Sequence, residues 1–341
     1  MDKTAVDETN KSGAFARTDS IHRHWIGSPT FPPEPQRYLL IVALACPWAH
    51  RCLLARSLLG LEEAIPLATV HPTWQLTKPS LDQHSGWVFV RPTDPPVLHP
   101  SQMTSIPCDT HCVPPPPQYD WHSVRSIYDD SNDGNGTSST NVKFTVPILW
   151  DLQLHRIVNN ESSEILRMLS DFQLLGQFAT KHQQLVLRPT LLSRRIDQVN
   201  EWVYSHINNG VYKCGFARTQ HAYNTAAKEL QQGLQRAEQI LDSSRYLCSN
   251  TQLTEADIRL FVTLIRHDEV YCVYFKCNHV PIVGGTQFPN LVRYMKELMS
   301  IPEIRNTVQM EHIKNHYYTS HPSLNVYGIV PLGPNVMRSL L

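Results

Sequence analysis

The sequence predicts an α/β domain followed by an all-α domain. Three observations carry this. From Tyr38 to Leu169, β-branched and apolar runs alternate with helical patterns, as expected where strands and helices build one layered core. From Arg188 onward the apolar period becomes helical almost throughout. And 341 residues suit two domains, each large enough for its own core.

Residues 1–36 are polar and then proline-rich (Phe31-Pro-Pro-Glu-Pro35), which reads as an arm or tail. The α/β domain is placed at 37–175. It opens with a strand over Tyr38 to Ala45, a turn at Cys46, a helix over Pro47 to Leu59 stopped by Gly60, and a strand over Ile65 to His71. A short strand over Lys143 to Leu149 contains Pro147, which cannot donate to a ladder and so belongs at an edge or a strand start. A helix over Glu161 to Leu169 follows. Two stretches interrupt this domain: 91–119, which includes Pro114-Pro-Pro-Pro117, and the Ser/Asn/Gly/Asp-rich 129–141. Both read as solvated insertions too poor in apolar residues to order themselves.

The helical domain is placed at 188–310. Its stripes are Ile196, Val199, Trp202 and Val203; Ala226, Leu230, Leu234 and Ala237; and Ile258, Leu260, Phe261 and Leu264. Thr254-Glu-Ala-Asp257 is a capping box, with Leu253 and Ile258 spaced as a hydrophobic staple. Residues 311–341 form a tail expected to pack back on the domains.

Composition excludes several function classes. Thirty Lys plus Arg balance thirty Asp plus Glu, which gives no electrostatic case for nucleic acid or an anionic membrane. No apolar run reaches the length that spans a bilayer. The polar start Met1-Asp-Lys-Thr-Ala-Val-Asp-Glu8 is unlike a signal or transit peptide. Eight irregularly spaced cysteines then read as reduced thiols, and the cytosol is the expected compartment. His99, Cys108, His111 and Cys112 in the first insertion invite a zinc reading. Structural sites usually show a tighter paired spacing and two well-separated halves, so no metal is expected.

Cys46 carries the chemistry. Between strand and helix it stands at a helix N-terminus, where unpaired N–H groups and the positive end of the macrodipole favour the thiolate. Pro47 suits the first helical turn because its missing N–H costs nothing there. Ala49, not a second cysteine, stands three residues on. Such a one-thiol site forms a mixed disulfide and needs an external thiol to complete a cycle. Read singly, the same cysteine is a small core residue.

The segment Ala45-Cys-Pro-Trp-Ala-His-Arg51 resembles the active-site signature of the Xi-class glutathione transferases, or glutathionyl-hydroquinone reductases. Thr145-Val-Pro-Ile-Leu-Trp-Asp151, Asn159-Asn-Glu-Ser-Ser-Glu-Ile165, Asn208-Asn-Gly-Val-Tyr-Lys-Cys-Gly-Phe216, Phe275-Lys-Cys-Asn278, His316-Tyr-Tyr-Thr-Ser-His321 and Gly328-Ile-Val-Pro-Leu-Gly-Pro334 resemble that family in the same order. The resemblance implies a thioredoxin-like domain binding glutathione, a helical transferase domain and a homodimer. For glutathione it implies a cis Val146-Pro147 presenting backbone to the cysteinyl part. It also implies Glu161 and Ser162 on the γ-glutamyl group, Trp87 over the ligand, and Lys143 where the family usually has arginine. Lysine keeps the charge but loses the planar fork, so weaker glutathione affinity is expected.

For the aromatic acceptor the resemblance implies Tyr204, Tyr271 and Tyr317, with Tyr204 or Tyr317 as proton donor. Two departures fall there: Tyr274 replaces a usual histidine, and Val326-Tyr327 interrupts a usual Asn-Pro turn. Cys277 and Cys52 need no reactivity to explain them. The implied reaction is glutathione-dependent reduction of glutathionyl-hydroquinones through a Cys46–glutathione disulfide. The alternatives are an Omega-like thiol transferase or dehydroascorbate reductase, and a transferase scaffold without turnover that binds a partner.

Overall fold

The computed structural model describes residues 8–131, 143–171, 185–277 and 281–341. Among these, one compact unit is built from 19–171 and 307–331, and a second from 8–18, 185–306 and 332–341. The sequence boundary at 175 and most of the insertion at 129–141 lie outside the described residues.

The first unit has a four-stranded sheet. β1 (Tyr38–Val42) pairs in parallel with β2 (Leu67–Thr69) and antiparallel with β3 (Ile148–Asp151), which pairs antiparallel with β4 (Arg156–Asn159). The order β2-β1-β3-β4, with helix α1 (Pro47–Leu58) crossing between the parallel strands, is thioredoxin-like. β1 is buried on both faces, which explains its unbroken apolar run. The register sets Tyr38 opposite Asp151, and Arg37 closes that end: its guanidinium donates to Asp151 Oδ2 from Nε (2.9 Å) and Nη2 (2.8 Å). Asp151 Oδ1 accepts from the backbone N–H groups of Gln153 and Leu154 and so shapes the β3–β4 turn.

Several sequence expectations shift. The first strand ends at Val42, because Ala43 to Ala45 turn the chain toward Cys46; the Cys46 N–H donates to the Ala43 carbonyl at 3.0 Å. The strand expected over Lys143 to Leu149 begins only at Ile148, after the proline that cannot join a ladder. A helix α2 (Val124–Asp130) was not foreseen.

The expectation for 91–119 is corrected. This stretch packs: Val97, His99, Ile106 and Cys112 are buried, and Val97–Leu98 pairs with Ser105–Ile106. Thr69 on β2 donates its N–H to the Val113 carbonyl (2.8 Å), so the segment covers a sheet edge. Backbone pairing supplies the order that its apolar content could not.

In the second unit the stripes are buried as expected, and Glu255–Arg266 is buried along its whole length. Its capping box is formed: Asp257 Oδ2 accepts from the Thr254 N–H and hydroxyl, both at 2.8 Å. Helix Gln220–Ser243 crosses a wide π-helical turn (Val203–Asn208) at Gly233, where an added Cβ would meet His206 Cβ at 2.8 Å and Ile207 Cγ1 at 2.9 Å. No helix among the described residues is long and apolar enough to cross a membrane.

Candidate active site

Cys46 is the N-cap of α1, with extended φ/ψ (−73°, 120°) and Pro47 at the first helical position. Its carbonyl accepts the His50 N–H at 2.9 Å, and its Sγ lies 3.7 Å from the Val146 carbonyl oxygen. Val146-Pro147 is cis, as the resemblance implies. Of the eight thiols, only Cys46 and Cys108 are part-exposed. Burial pushes the Cys112, Cys248 and Cys272 thiols up to about 12 and raises Cys108. Burial and the neighbouring Cys214 thiol likewise push Cys277 up, in keeping with an inert role.

Helix α1 is tied to α3 (Ser162–Leu169) by its next turn. Buried Arg51 lies 4.4 Å over the Trp48 ring and reaches the Ser162 hydroxyl at 3.4 Å, while the Cys52 thiol donates to the Ser162 carbonyl at 3.5 Å. Cys52 therefore packs inward, as expected. Arg51 and His50, whose Nε2 is 2.8 Å from Thr307 Oγ1, belong to the quoted signature, yet their bracing roles had no local signal.

Glu161 is the N-cap of α3. Its Oε1 accepts from the Ser163 N–H and hydroxyl, each at 3.0 Å, and its Oε2 from Ser20 Oγ at 3.2 Å. Ser162 is 3% exposed at the helix start. The N–H groups of that first turn and the Glu161 carboxylate together offer donors for a carboxylate and an acceptor for an ammonium.

Trp87 is buried in an aromatic stack. The His316 ring lies against it (centroids 4.3 Å, 29° between planes), and Trp74 meets it edge-on at 5.7 Å. His316 Nδ1 is fixed by the Pro72 carbonyl (2.9 Å) and Ser320 Oγ (3.0 Å). Sequence reasoning missed His316 as a partner of Trp87, because nothing local links positions so far apart. Tyr317 follows on the same helix (Met310–Thr319), 2% exposed, its ring edge-on to His316. Lys143 is half-buried.

Tyr204 sits on the π-helical turn of the second unit with 39% of its surface exposed. Tyr271 is fully buried, its ring stacked on Phe275 (5.5 Å, 10°) and near Tyr212. A second π-helical turn, His267–Tyr271, sets it in this aromatic cluster.

A thiol at the helix start, facing the carbonyl before a cis-proline on a thioredoxin-like sheet, with an acid-and-serine helix start on α3, is a glutathione transferase architecture. The family description "Glutathione S-transferase, N-terminal domain" matches residues 45–171, and "Glutathione S-transferase, C-terminal domain" matches 220–297. Glutathionyl-hydroquinone reductase YqjG of Escherichia coli (strain K12) is 38% identical, over 97% of this chain and 92% of its own. Its glutathione-bound structure is similar with a TM-score of 0.77 at 36% identity, covering 92% of each chain. Glutathione S-transferase omega-like 2 of Schizosaccharomyces pombe is also 38% identical, over 96% of both chains. The glutathione-S-transferase Xi structure from Phanerochaete chrysosporium matches with a TM-score of 0.80 at 40% identity, covering 96% of this chain and 95% of that one. The chain belongs to the Xi-class glutathione transferases, the glutathionyl-hydroquinone reductase family.

Proposed function

We propose that this protein reduces glutathionyl-hydroquinones to hydroquinones at the expense of glutathione, with Cys46 as nucleophile. The observation that carries the mechanism is the part-exposed Cys46 thiol at the start of α1, facing the Val146 carbonyl before cis-Pro147. Glutathione binds with its cysteinyl backbone along Val146-Pro147, its γ-glutamyl group at Glu161 and Ser162, and its glycine carboxylate toward Lys143. Trp87, held by His316, bounds the ligand.

The Cys46 thiolate attacks the sulfur of the glutathionyl-hydroquinone. The sulfur–aryl bond breaks, its electron pair passes to the ring carbon, and a tyrosine hydroxyl supplies the proton. The hydroquinone leaves, and a Cys46–glutathione disulfide remains. A second glutathione thiolate attacks the glutathionyl sulfur, releases oxidised glutathione and restores the Cys46 thiolate. Tyr317 and Tyr204 are the candidate donors, and Tyr271 is the third tyrosine of the acceptor pocket. The same reading carries a homodimer and a cytosolic setting, the first checked by light scattering and the second by cell fractionation.

The deciding experiment is turnover of a glutathionyl-hydroquinone with excess glutathione, wild type against Cys46→Ala. Reduction by the wild type alone supports the one-thiol route. Reduction by neither, with glutathione still bound, leaves a binding scaffold. Because one relative is named omega-like, dehydroascorbate is the second substrate to assay; faster turnover of it would move the chain to the thiol transferase reading.

A further inference from the structure

The cluster of Asp109, Cys112 and His312 has the makings of a binding site outside the glutathione site. Asp109 and Cys112 share one tight turn, in which the Cys112 N–H donates to the Asp109 carbonyl at 3.1 Å and the His111 N–H to Asp109 Oδ1 at 2.9 Å. His312 arrives from the far end of the chain, on helix Met310–Thr319, with Nε2 3.2 and 2.9 Å from the two Asp109 carboxylate oxygens. One donor atom from each of the three residues lies within 4.8 Å of the others. The well-separated second half missing from the sequence pattern is thus present in space.

We propose that Asp109, Cys112 and His312 hold a zinc ion that fastens the proline-rich segment to this helix. Bonds of about 2.0–2.3 Å to a tetrahedral zinc place its ligand atoms about 3.3–3.8 Å apart, a small rotation from the observed arrangement. Cys112 is 1% exposed and His312 4%, and His312 Nδ1 has no hydrogen-bond partner among the described residues. The set is charge-balanced for a divalent cation: one thiolate and one carboxylate neutralise it, and the imidazole adds no charge. A sulfur, nitrogen and oxygen donor set suits zinc better than calcium or magnesium, which take oxygen ligands. His111, exposed with Nδ1 3.5 Å from Asp109 Oδ2 and its ring 5.7 Å from His312, stands on the open side; it or a water completes the fourth position.

A second His/Asp/Cys cluster, His267, Asp268 and Cys272, argues the other way. There the Asp268 carboxylate already accepts the N–H groups of Ile282 (2.8 Å), Val283 (2.7 Å) and Gly284 (3.0 Å), so it anchors a loop. In the zinc site the consequence is mechanical. The helix that bears His312 also bears His316 and Tyr317, so the ion would stiffen the wall against Trp87.

The test is metal content and cobalt spectroscopy on the full chain. Protein purified without chelator should retain about one zinc per chain after dialysis. Stripped protein titrated with cobalt should develop a thiolate-to-cobalt charge-transfer band and tetrahedral ligand-field bands. Cys112→Ser should abolish the charge-transfer band, and His312→Ala should lose the retained zinc. Cys272→Ser and Cys46→Ala should keep both signals. Asp109→Asn, nearly isosteric, guards against misfolded variants and should weaken cobalt affinity at least tenfold. No zinc and no cobalt band in the wild type would overturn the proposal, as would a band that survives Cys112→Ser.

Discussion

Replacing Glu161 by glutamine separates two roles that one carboxylate plays. As a cap, Oε1 accepts from the Ser163 N–H and hydroxyl at 3.0 Å. The glutamine carbonyl oxygen can do the same, so the stability loss should stay below about 1 kcal/mol. As a ligand group, the carboxylate would pair with the α-ammonium of glutathione, and a neutral amide cannot replace that charge. A charge-assisted hydrogen bond contributes about 1.5–3 kcal/mol. At about 1.4 kcal/mol per decade, Glu161→Gln should raise KM for glutathione about 10- to 150-fold. The kcat at saturating glutathione should change little, because neither Cys46 nor the acceptor is touched. The assay is steady-state turnover with glutathione varied, beside thermal unfolding of the same preparations. An unchanged KM with a clearly lowered Tm would refute the reasoning and leave Glu161 as a helix cap alone.

Lys143→Arg should lower KM for glutathione several-fold, since a guanidinium can meet the glycine carboxylate with two parallel bonds; an unchanged or higher KM would remove Lys143 from the site. Asp151→Ala should cost about 2–4 kcal/mol in urea unfolding, because two turn N–H groups lose their acceptor and the buried Arg37 guanidinium keeps only Glu34 and the Thr30 carbonyl. Asp257→Ala should cost about 2–4 kcal/mol: the cap is lost, and the buried Leu247 N–H loses its acceptor at 2.9 Å. His321 is buried between Trp74 and His316, and that burial pushes its pKa from 6.5 down to about 4, a bond to the Tyr317 backbone opposing only in part. The unfolded chain therefore takes up this proton first, and stability falls as pH drops from about 6.5 to about 4, by about 3 kcal/mol in all. His321→Gln should flatten that limb of a Tm–pH curve, and identical slopes would count against it.

What could be read from the sequence was local. The thiol at the start of α1, the limits of α1 and α3, the capping box at Thr254 and Asp257, and the apolar stripes all follow from preferences that span a few residues. Backbone sterics, cap chemistry and helical periodicity act over that range, and so they leave a mark that one segment carries alone. Lys143 and the Glu161-Ser162 pair took their meaning from the family resemblance instead; by itself an acid-serine pair says only that a helix begins.

Tertiary structure decided the rest. The π-helical turn that stacks Tyr271 on Phe275 left no mark in the apolar pattern. The proline-rich stretch had too few apolar residues to order itself, and the free edge of β2 gave it backbone partners. His316 on Trp87, Arg51 on Ser162, and His312 beside Asp109 and Cys112 join segments remote in sequence. Such pairs depend on how whole elements pack, and no composition or spacing within either segment encodes the partner. The thiol at the start of α1 could therefore be singled out from its own neighbourhood, while the groups that hold its surroundings in place emerged only when the chain was folded.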